Sequence, residues 1–243
     1  MRLQVYLSHS GACSRRNALE YIQAGRVSVN GKKILEPSFP VNLQDVVSFD
    51  GRRVSLKENI YVLLNKPKGV VTTTKDRHAP SKIIDLLPLE LRHLHPVGRL
   101  DRQTSGLIVL TNDGELAFRL SHPSFEADKV YRVVLNKPLS AEDKDKLEKG
   151  VVLEGKMTSP CRIKISSFVE LETIIHEGRK RQVRRMFSSL GYHVVELCRT
   201  RQGSLVLGDL KPGEWRLLKP EEVQRLYQEL KHVPKTHPIR SQG

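Results

Sequence analysis

The 243-residue sequence contains few cysteines and no long apolar segment, and each absence excludes a class of protein. Three cysteines, an odd number spread far apart, exclude a disulfide framework and a Cys-rich zinc site, and they fit a reducing cytoplasm. No apolar run approaches the roughly 18–20 residues that a membrane-spanning helix needs. Residues 1–6 also lack the continuous apolar core of a secretory signal. We therefore expect a cytoplasmic protein without a membrane partner.

Acidic residues are scarce relative to basic ones. The chain has 41 Lys and Arg against 27 Asp and Glu, a formal charge of +14, and its isoelectric point is near 9.8. Binding to a polyanion releases condensed counterions, so this charge is typical of proteins that bind nucleic acid. A merely soluble basic protein is the alternative, but the clustering of arginines described below favours a nucleic-acid partner.

The first fifty-odd residues have the pattern of two short helices followed by hairpins. Two sets of apolar residues recur at helical spacing, namely Leu3, Tyr6 and Leu7, then Ala18, Leu19 and Ile22 behind a capping Ser14. The period then changes to two, and Asn30-Gly31 and Asp50-Gly51 are typical of hairpin turns. A polar linker follows over residues 55–59. These features predict a small domain over residues 1–58.

Residues 59–231 predict a second, mixed α+β domain in which strands do not alternate strictly with helices. The predicted strands are residues 60–64, 69–73, 106–111, 130–135, 161–167 and 169–175, and the predicted helices are residues 115–121, 141–149, 182–190 and 221–230. The run 106–111 is almost wholly apolar, as expected of a buried central strand. Residues 232–243 have two prolines and no apolar period, which predicts a basic, disordered tail.

One carboxylate, Asp101, lies between Arg99 and Arg102 in a stretch bounded by Gly98 and Gly106. Loops that lead into rigid strands are frequent places for functional groups. Neighbouring positive charge favours the ionised form of a carboxyl group, so Asp101 is expected to act as a nucleophile or base rather than as an acid. A salt bridge within the loop explains the same spacing, and the residues alone leave both readings open.

A second cluster of charge spans residues 177–186, Glu-Gly-Arg-Lys-Arg-Gln-Val-Arg-Arg-Met. Its apolar residues, with those that follow, recur at helical spacing: Val183, Met186, Phe187 and Leu190. Arg184 adjoins this apolar face, so we expect it to point inward toward a carboxylate. Arg179, Lys180 and Arg181 are expected to contact phosphates.

These segments resemble the ribosomal RNA pseudouridine synthases of the RsuA type. Residues 98–107, continued by residues 110–117, are similar to the central motif of that family. The other matching segments are the opening motif Lys66-Pro67-Lys68-Gly69, the tyrosine motif Lys129-Val130-Tyr131 and the third motif over residues 177–187. The resemblance runs from about residue 60 to residue 230, with the motifs in the family's order.

Residues 3–54 resemble the S4-like RNA-binding domain that precedes the catalytic domain in many members of this family. The segments that carry the likeness are Ser14-Arg15-Arg16, Gly25-Arg26-Val27 and Val29-Asn30-Gly31. The candidate RNA-binding residues of this domain are Arg15, Arg16, Arg26, Lys32 and Lys33. We expect them to hold an RNA hairpin away from the catalytic pocket.

The resemblance implies an isomerase without a cofactor, which detaches uracil from its ribose, rotates it and rejoins it through carbon instead of nitrogen. Asp101 matches the catalytic carboxylate, which either attacks the anomeric carbon or takes a proton from the neighbouring sugar carbon. Tyr131 matches the residue that stacks on the displaced base, and Arg184 matches the basic residue that pairs with the aspartate. The other candidate substrate-binding residues are Arg99, Lys66, Arg179, Arg181 and Leu197.

The implied partner is ribosomal RNA or an assembling ribosomal subunit, bound by a monomer. Residues 121–124 and 179–185 resemble members that act on large-subunit 23S rRNA more than members that act on small-subunit 16S rRNA. No metal site is expected, because Asp101 stands alone among arginines and the nine histidines are scattered. The alternative is a non-catalytic RNA-binding or ribosome-assembly factor with the same fold.

Overall fold

The computed structural model describes residues 1–42, 44–74, 76 and 79–231, so the expected tail over residues 232–243 lies outside the described residues. The described chain forms two compact units. The first consists of Met1–Asn59 with Asn112–Gly114, and the second begins at Ile60. Helices and mainly antiparallel strands make up both, which confirms the predicted α+β class. Within the described ranges, no helix is long and apolar enough to cross a membrane.

The first unit has the predicted two helices and two hairpins. Its elements are α1 (Leu3–His9), α2 (Arg15–Gln23), β1 (Val27–Val29), β2 (Lys32–Lys33), β3 (Val47–Phe49) and β4 (Arg52–Val54), with the strands in the antiparallel order β2-β1-β3-β4. The Ser14 hydroxyl accepts a hydrogen bond from the Asn17 N–H at 3.2 Å and so caps α2. Leu19, predicted to lie on the apolar face, is 43% exposed, while Ala18 and Ile22 are fully buried.

The remaining α-helices and strands lie in the second unit, apart from Gly114 at the start of one helix, which belongs to the first unit. They are β5 (Tyr61–Lys66), β6 (His95–Pro96), β7 (Ser105–Thr111), α3 (Gly114–Ser121), β8 (Lys129–Leu135), α4 (Ala141–Lys149), β9 (Val152–Leu153), β10 (Lys156–Met157), β11 (Arg162–Ile165), β12 (Glu170–Ile175), α5 (Gln182–Ser188), β13 (Val194–Gln202), β14 (Leu205–Val206), β15 (Trp215–Leu217) and α6 (Pro220–Glu229). Strands β9 and β10 form a separate hairpin. The predicted helices are confirmed, with small differences at their ends.

One large sheet organises this unit. Its strands run in the order β11-β12-β8-β13-β7-β5-β15, and each pair is antiparallel except β13 with β7. Successive side chains of β7 enter two different apolar cores, with Ile108 and Leu110 in one and Leu107 and Val109 in the other. A strand covered on both faces needs an apolar residue at nearly every position. The prediction of a buried central strand is therefore confirmed.

Two strand predictions were wrong or incomplete. Residues 69–73 do not form a strand, because the chain turns after β5 and makes a single bridge between Val71 and Lys82 in the described range. The nine-residue strand β13 was not predicted. Its register shifts between Val194 and Glu196 and again between Arg199 and Arg201, and these irregularities interrupt the two-residue period on which the prediction depends.

Candidate active site

Asp101 lies on the loop that leads into β7, and its side chain is half-buried. The segment that follows β5 holds this loop. The Thr72 hydroxyl donates to the Leu100 carbonyl at 2.8 Å, and the Leu100 N–H donates back to the hydroxyl at 3.3 Å. The Gly69 N–H donates to the Arg102 carbonyl at 2.8 Å. The backbone on both sides of the carboxylate is therefore fixed by hydrogen bonds.

Arg184, on α5, holds the same loop from another direction. Its Nη1 donates to the Val194 carbonyl at 2.7 Å, and its Nη2 donates to the Gln103 carbonyl at 2.9 Å. The expected ion pair between Arg184 and Asp101 does not occur among the described residues, since backbone carbonyls engage both terminal nitrogens. Their charges still interact. Burial lowers the pKa of the Arg184 guanidinium, with a further contribution from Arg181, and the Asp101 carboxylate opposes this shift.

The arginines that flank Asp101 in sequence are not its partners in space. Arg99 and Arg102 are exposed, and neither forms an ion pair with Asp101 in the described chain, so the loop salt bridge is not observed. A different cation, Lys66 at the end of β5, interacts with the carboxylate. Lys66 is fully buried, and its Nζ donates to two backbone carbonyls at 3.0 and 2.8 Å. Burial lowers its pKa to about 8, and the Asp101 charge acts in the opposite direction.

Asp101 and Tyr131 line the same cavity, which has a volume of about 610 Å³. This size lies within the usual range of ligand pockets, roughly 300–1,000 Å³. Tyr131, on β8, is 8% exposed and forms part of the wall with Leu197 of β13. The other predicted site residues that line the cavity are Arg99, Arg179 and Arg181. Lys66 and Arg184 are not among the lining residues.

The basic residues 179–181 line the cavity, and they differ in whether the protein itself binds their side chains. Lys180 and Arg181 are exposed. Arg179 is instead engaged by the protein, because its Nε donates to a Glu177 carboxylate oxygen at 3.3 Å and its two terminal nitrogens donate to the carbonyls of Lys156 and Met157. Arg179 therefore connects the β9–β10 hairpin to the cavity, and a phosphate contact by its guanidinium remains a prediction.

Sequence reasoning missed two buried cations that line the cavity, Lys129 and Arg199. A signal for Lys129 was present, because residues two apart on a strand face the same side and Lys129 is two residues before Tyr131. Arg199 had no such signal, since its strand was not predicted. Among the described residues, no group of three or more His, Cys, Asp or Glu side chains could hold a metal ion.

In the first unit, four of the five predicted RNA-binding residues are exposed cations without an ion pair in the described range. These residues are Arg15 and Arg16 at the start of α2 and Lys32 and Lys33 on β2.

Arg26, the fifth, is also exposed but has protein partners. Its Nε donates to Asp50 Oδ1 at 2.8 Å and its Nη2 donates to Oδ2. Its guanidinium carbon lies 4.3 Å from the ring centre of Tyr21 and 5.0 Å from that of Phe49. An RNA contact by Arg26 remains a prediction.

Comparisons with known proteins agree with the division of the chain. The family model for RNA pseudouridylate synthase matches residues 60–189, and the model for the S4 domain matches residues 1–47. The first match contains Asp101, Tyr131 and Arg184.

Relatives match over nearly the whole chain. The ribosomal large subunit pseudouridine synthase B of Bacillus subtilis (strain 168) is 40% identical over 93% of this chain and 95% of its own. The ribosomal small subunit pseudouridine synthase A of Vibrio cholerae is 33% identical over 93% of this chain and 100% of its own. A crystal structure of a pseudouridylate synthase has a TM-score of 0.69 and 31% identity, and the match covers 93% of this chain and 99% of that one. The chain therefore belongs to the RNA pseudouridylate synthase family.

Proposed function

We propose that this enzyme converts a specific uridine of ribosomal RNA to pseudouridine, with Asp101 as the catalytic carboxylate. The observation that carries the proposal is that Asp101 and Tyr131 line one cavity, while the charges of the buried Lys66 and the half-buried Arg184 act on Asp101. A half-buried carboxylate near cations is a suitable nucleophile or base. Its two possible first steps are attack on the anomeric carbon C1′ and removal of the proton on C2′.

The target base has to leave the RNA stack before this chemistry can occur. Flipping a nucleotide into a pocket costs a few kcal/mol. Stacking of the base on an aromatic ring returns roughly 1–3 kcal/mol, and Tyr131 is the aromatic residue in the cavity wall that supplies it. The Leu197 side chain lies in the same wall and provides apolar contact.

Contacts to the RNA backbone provide the rest of the binding energy. The exposed side chains of Arg99, Lys180 and Arg181 line the cavity, and we assign them contacts to phosphates beside the flipped nucleotide. Arg179 holds the β9–β10 hairpin through backbone carbonyls, so we assign it a positioning role in addition to its predicted phosphate contact. Lys66 and Arg184 act on Asp101 by charge and by fixing the loops around it.

The first unit supplies a second RNA contact. We propose that Arg15, Arg16, Lys32 and Lys33 bind phosphates of an RNA hairpin away from the catalytic cavity. Their exposure and their lack of ion pairs within the described chain support this role. The proposed organisation is an RNA-binding domain over residues 1–58 and a catalytic domain over residues 59–231, in a cytoplasmic monomer.

The large ribosomal subunit is the favoured source of the RNA. The synthase B of Bacillus subtilis, named for the large subunit, is 40% identical to this chain, and the small-subunit synthase A of Vibrio cholerae is 33% identical. We propose 23S rRNA as the substrate on this basis and on the resemblance of residues 121–124 and 179–185. The same reaction on 16S rRNA is the alternative.

Mapping of pseudouridine in cells tests the proposal. Ribosomal RNA from cells without the protein is compared with RNA from cells that express the wild type or Asp101→Asn. We expect one uridine in 23S rRNA to lose its modification and only the wild type to restore it. Restoration by both proteins overturns the catalytic role and leaves a binding or assembly factor, whereas loss at a 16S site identifies the alternative substrate.

A further inference from the structure

Arg199 is a buried cation whose hydrogen-bonding capacity is incompletely used. It lies on β13 and is 2% exposed. Its Nε donates to the Leu107 carbonyl at 2.7 Å, but its Nη2 is buried and has no hydrogen-bond partner among the described residues. An unpaired donor on a buried charge is unfavourable, because neither water nor protein replaces its lost hydration. A ligand that accepts a hydrogen bond from Nη2 would remove this penalty.

The unpaired group belongs to the cavity that contains Asp101 and Tyr131. Arg199 is a lining residue, and it lies directly opposite Tyr131 in the register of β13 with β8. Paired residues on neighbouring strands have adjacent side chains on the same face of a sheet. A base that stacks on Tyr131 therefore presents its edge near the Arg199 guanidinium.

A second buried cation, Lys129, lines the same cavity and adds positive charge near Arg199. It is 8% exposed, and its Nζ donates to the carbonyls of Ala127 and His176 at 3.4 and 3.3 Å. Burial lowers its pKa to about 8, and the charge of Arg199 contributes in the same direction, while Asp128 and Glu177 oppose it. No described carboxylate forms an ion pair with Lys129 or Arg199. This part of the cavity thus has two cations without an ion pair among the described residues.

The proposed reaction produces an anion at this place. When the C1′–N1 bond breaks, its electron pair stays on N1 and the uracil leaves as a monoanion. In one route the Asp101 carboxylate forms a bond to C1′, and in the other it takes the C2′ proton, so in both routes one negative charge moves from Asp101 to the uracil. C5 of the base later bonds to C1′. In the first route the Asp101–C1′ bond breaks as this bond forms, and in the second C2′ regains its proton from Asp101, so the carboxylate is restored in both. The C5 proton is then lost and N1 gains a proton.

We propose that Arg199 is a catalytic residue that donates a hydrogen bond from Nη2 to a carbonyl oxygen of the detached uracil and stabilises its negative charge. This inference rests on the proposed function. The charge of the anion is delocalised onto the ring oxygens, and a fixed donor aimed at developing charge is an effective form of catalysis. Lys129 increases the positive potential in the same part of the cavity.

The position of Arg199 favours the base over an RNA phosphate as its partner. The base is the part of a flipped nucleotide that enters a pocket furthest, whereas the phosphates remain with the continuous strand. Arg99 and Arg181 are exposed cavity residues, while Arg199 is 2% exposed. A phosphate contact at Arg199 is therefore an outcome of the test rather than the proposal.

The test uses the full chain and a synthetic ribosomal RNA segment that carries the mapped uridine, prepared with uridine or with 5-fluorouridine at that position. Fluorine withdraws electrons from the ring, so the uracil anion is more stable and depends less on Arg199. We expect Arg199→Gln to lower the single-turnover rate of uridine consumption by about 100-fold while the RNA Kd changes by less than about threefold. On 5-fluorouridine we expect the loss of rate to be smaller than on uridine by a factor of about five or more.

The control is Arg201→Gln, which removes the same charge from β13 at a residue that does not line the cavity. Its rate is expected to match the wild type. Arg199→Lys keeps the charge and serves as the second variant if Arg199→Gln does not fold, with an expected loss of about 10-fold that is again smaller on 5-fluorouridine.

Three results would overturn the inference while wild-type activity upholds the proposed function. The first is an unchanged rate for Arg199→Gln. The second is an equal loss of single-turnover rate on the uridine and 5-fluorouridine RNAs for whichever variant folds. The third is a loss of RNA affinity with the saturated rate unchanged, which would make Arg199 a phosphate contact. A wild type that converts no uridine in the RNA overturns the proposed function itself.

Discussion

Arg184 donates a hydrogen bond to the carbonyl of Gln103, 2.9 Å away, two residues beyond the candidate catalytic Asp101. Its other terminal nitrogen holds Val194 at the start of β13. One guanidinium therefore joins α5, β13 and the loop of Asp101, and its charge acts on the carboxylate without an ion pair. Positioning, rather than direct pairing, is the role that this geometry supports.

Substitution of Arg184 is expected to remove activity with little loss of RNA affinity. In Arg184→Met the loop loses its hydrogen bond and Asp101 loses a neighbouring positive charge, so the single-turnover rate should fall by about 100-fold or more. The rate of Arg184→Lys should fall nearly as far, because one ammonium group does not reproduce the two hydrogen bonds that the guanidinium donates. Arg185→Met is the matched control, since Arg185 pairs with the exposed Glu154. A large rise in Kd with turnover retained would make Arg184 a phosphate contact.

Gly106 is expected to tolerate no side chain. Its φ is +107°, and a Cβ there would lie 2.3 Å from the Arg199 carbonyl oxygen and 2.5 Å from the Arg199 nitrogen, where β7 and β13 run parallel. Gly106→Ala should therefore lower the free energy of unfolding by about 3 kcal/mol or more. Gly155→Ala is the control, because Gly155 also has a positive φ, +73°, but no atom lies within 4 Å of an added Cβ. Its free energy of unfolding should fall by only about 1 kcal/mol. Equal losses in urea unfolding would contradict the close approach of the two strands.

The buried Lys66 is expected to make stability depend on pH in the alkaline range. Its pKa is about 8 in the folded chain, below the ordinary value of 10.5, so between these values the unfolded state binds more protons and stability rises with pH. Relative to Lys66→Met, the wild type should gain up to about 3 kcal/mol of unfolding free energy from pH 7.5 to 10.5.

Lys68→Met is the control for this measurement. Lys68 is exposed and pairs with Glu196 at 3.3 Å, so its removal should leave the pH profile nearly parallel to that of the wild type. A constant difference between the wild type and Lys66→Met across the range would show that Lys66 titrates in the folded chain as it does in the unfolded one.

The basic residues of the first unit are expected to contribute to RNA binding through released counterions. In the double variant Arg15→Gln/Arg16→Gln, the slope of log affinity against log salt should decrease by roughly 1.5, which corresponds to two lost phosphate contacts. Arg26→Gln should decrease the slope by less than one full phosphate contact, because Asp50 already pairs with Arg26. The measurement is fluorescence anisotropy with the full chain and a labelled ribosomal RNA hairpin. An unchanged slope in the double variant would remove these arginines from the interface.

Much of the fold was predictable because local patterns and tertiary packing agree. Ser14 caps α2 as expected, and the apolar run of β7 is buried on both faces. Strand β13 was not predictable in the same way. Its register shifts break the alternation of apolar and polar residues, and one of its buried positions is Arg199, which lines the cavity. Residues 69–73 have strand-forming side chains, but Thr72 and Gly69 make hydrogen bonds to the Asp101 loop instead of a ladder.

The candidate site was predicted from sequence in part. Asp101, Tyr131 and Leu197 line one cavity, as a common site requires. The sequence does not indicate which cations interact with the Asp101 carboxylate. Arg99 is adjacent in the chain and exposed, whereas Lys66, 35 positions earlier, is buried close enough for its charge to interact with Asp101. Such pairings depend on the path of the chain through the sheet, which no short segment specifies.

Release of the C5 hydrogen tests the central claim most directly. The purified chain is mixed in excess with ribosomal RNA that carries tritium at C5 of its uridines, and tritium in water is counted. We expect the wild type to release one equivalent per RNA and Asp101→Asn to release none, with RNA Kd values that agree within about threefold. Release by Asp101→Asn at the wild-type rate would contradict the assignment of Asp101 as the catalytic carboxylate.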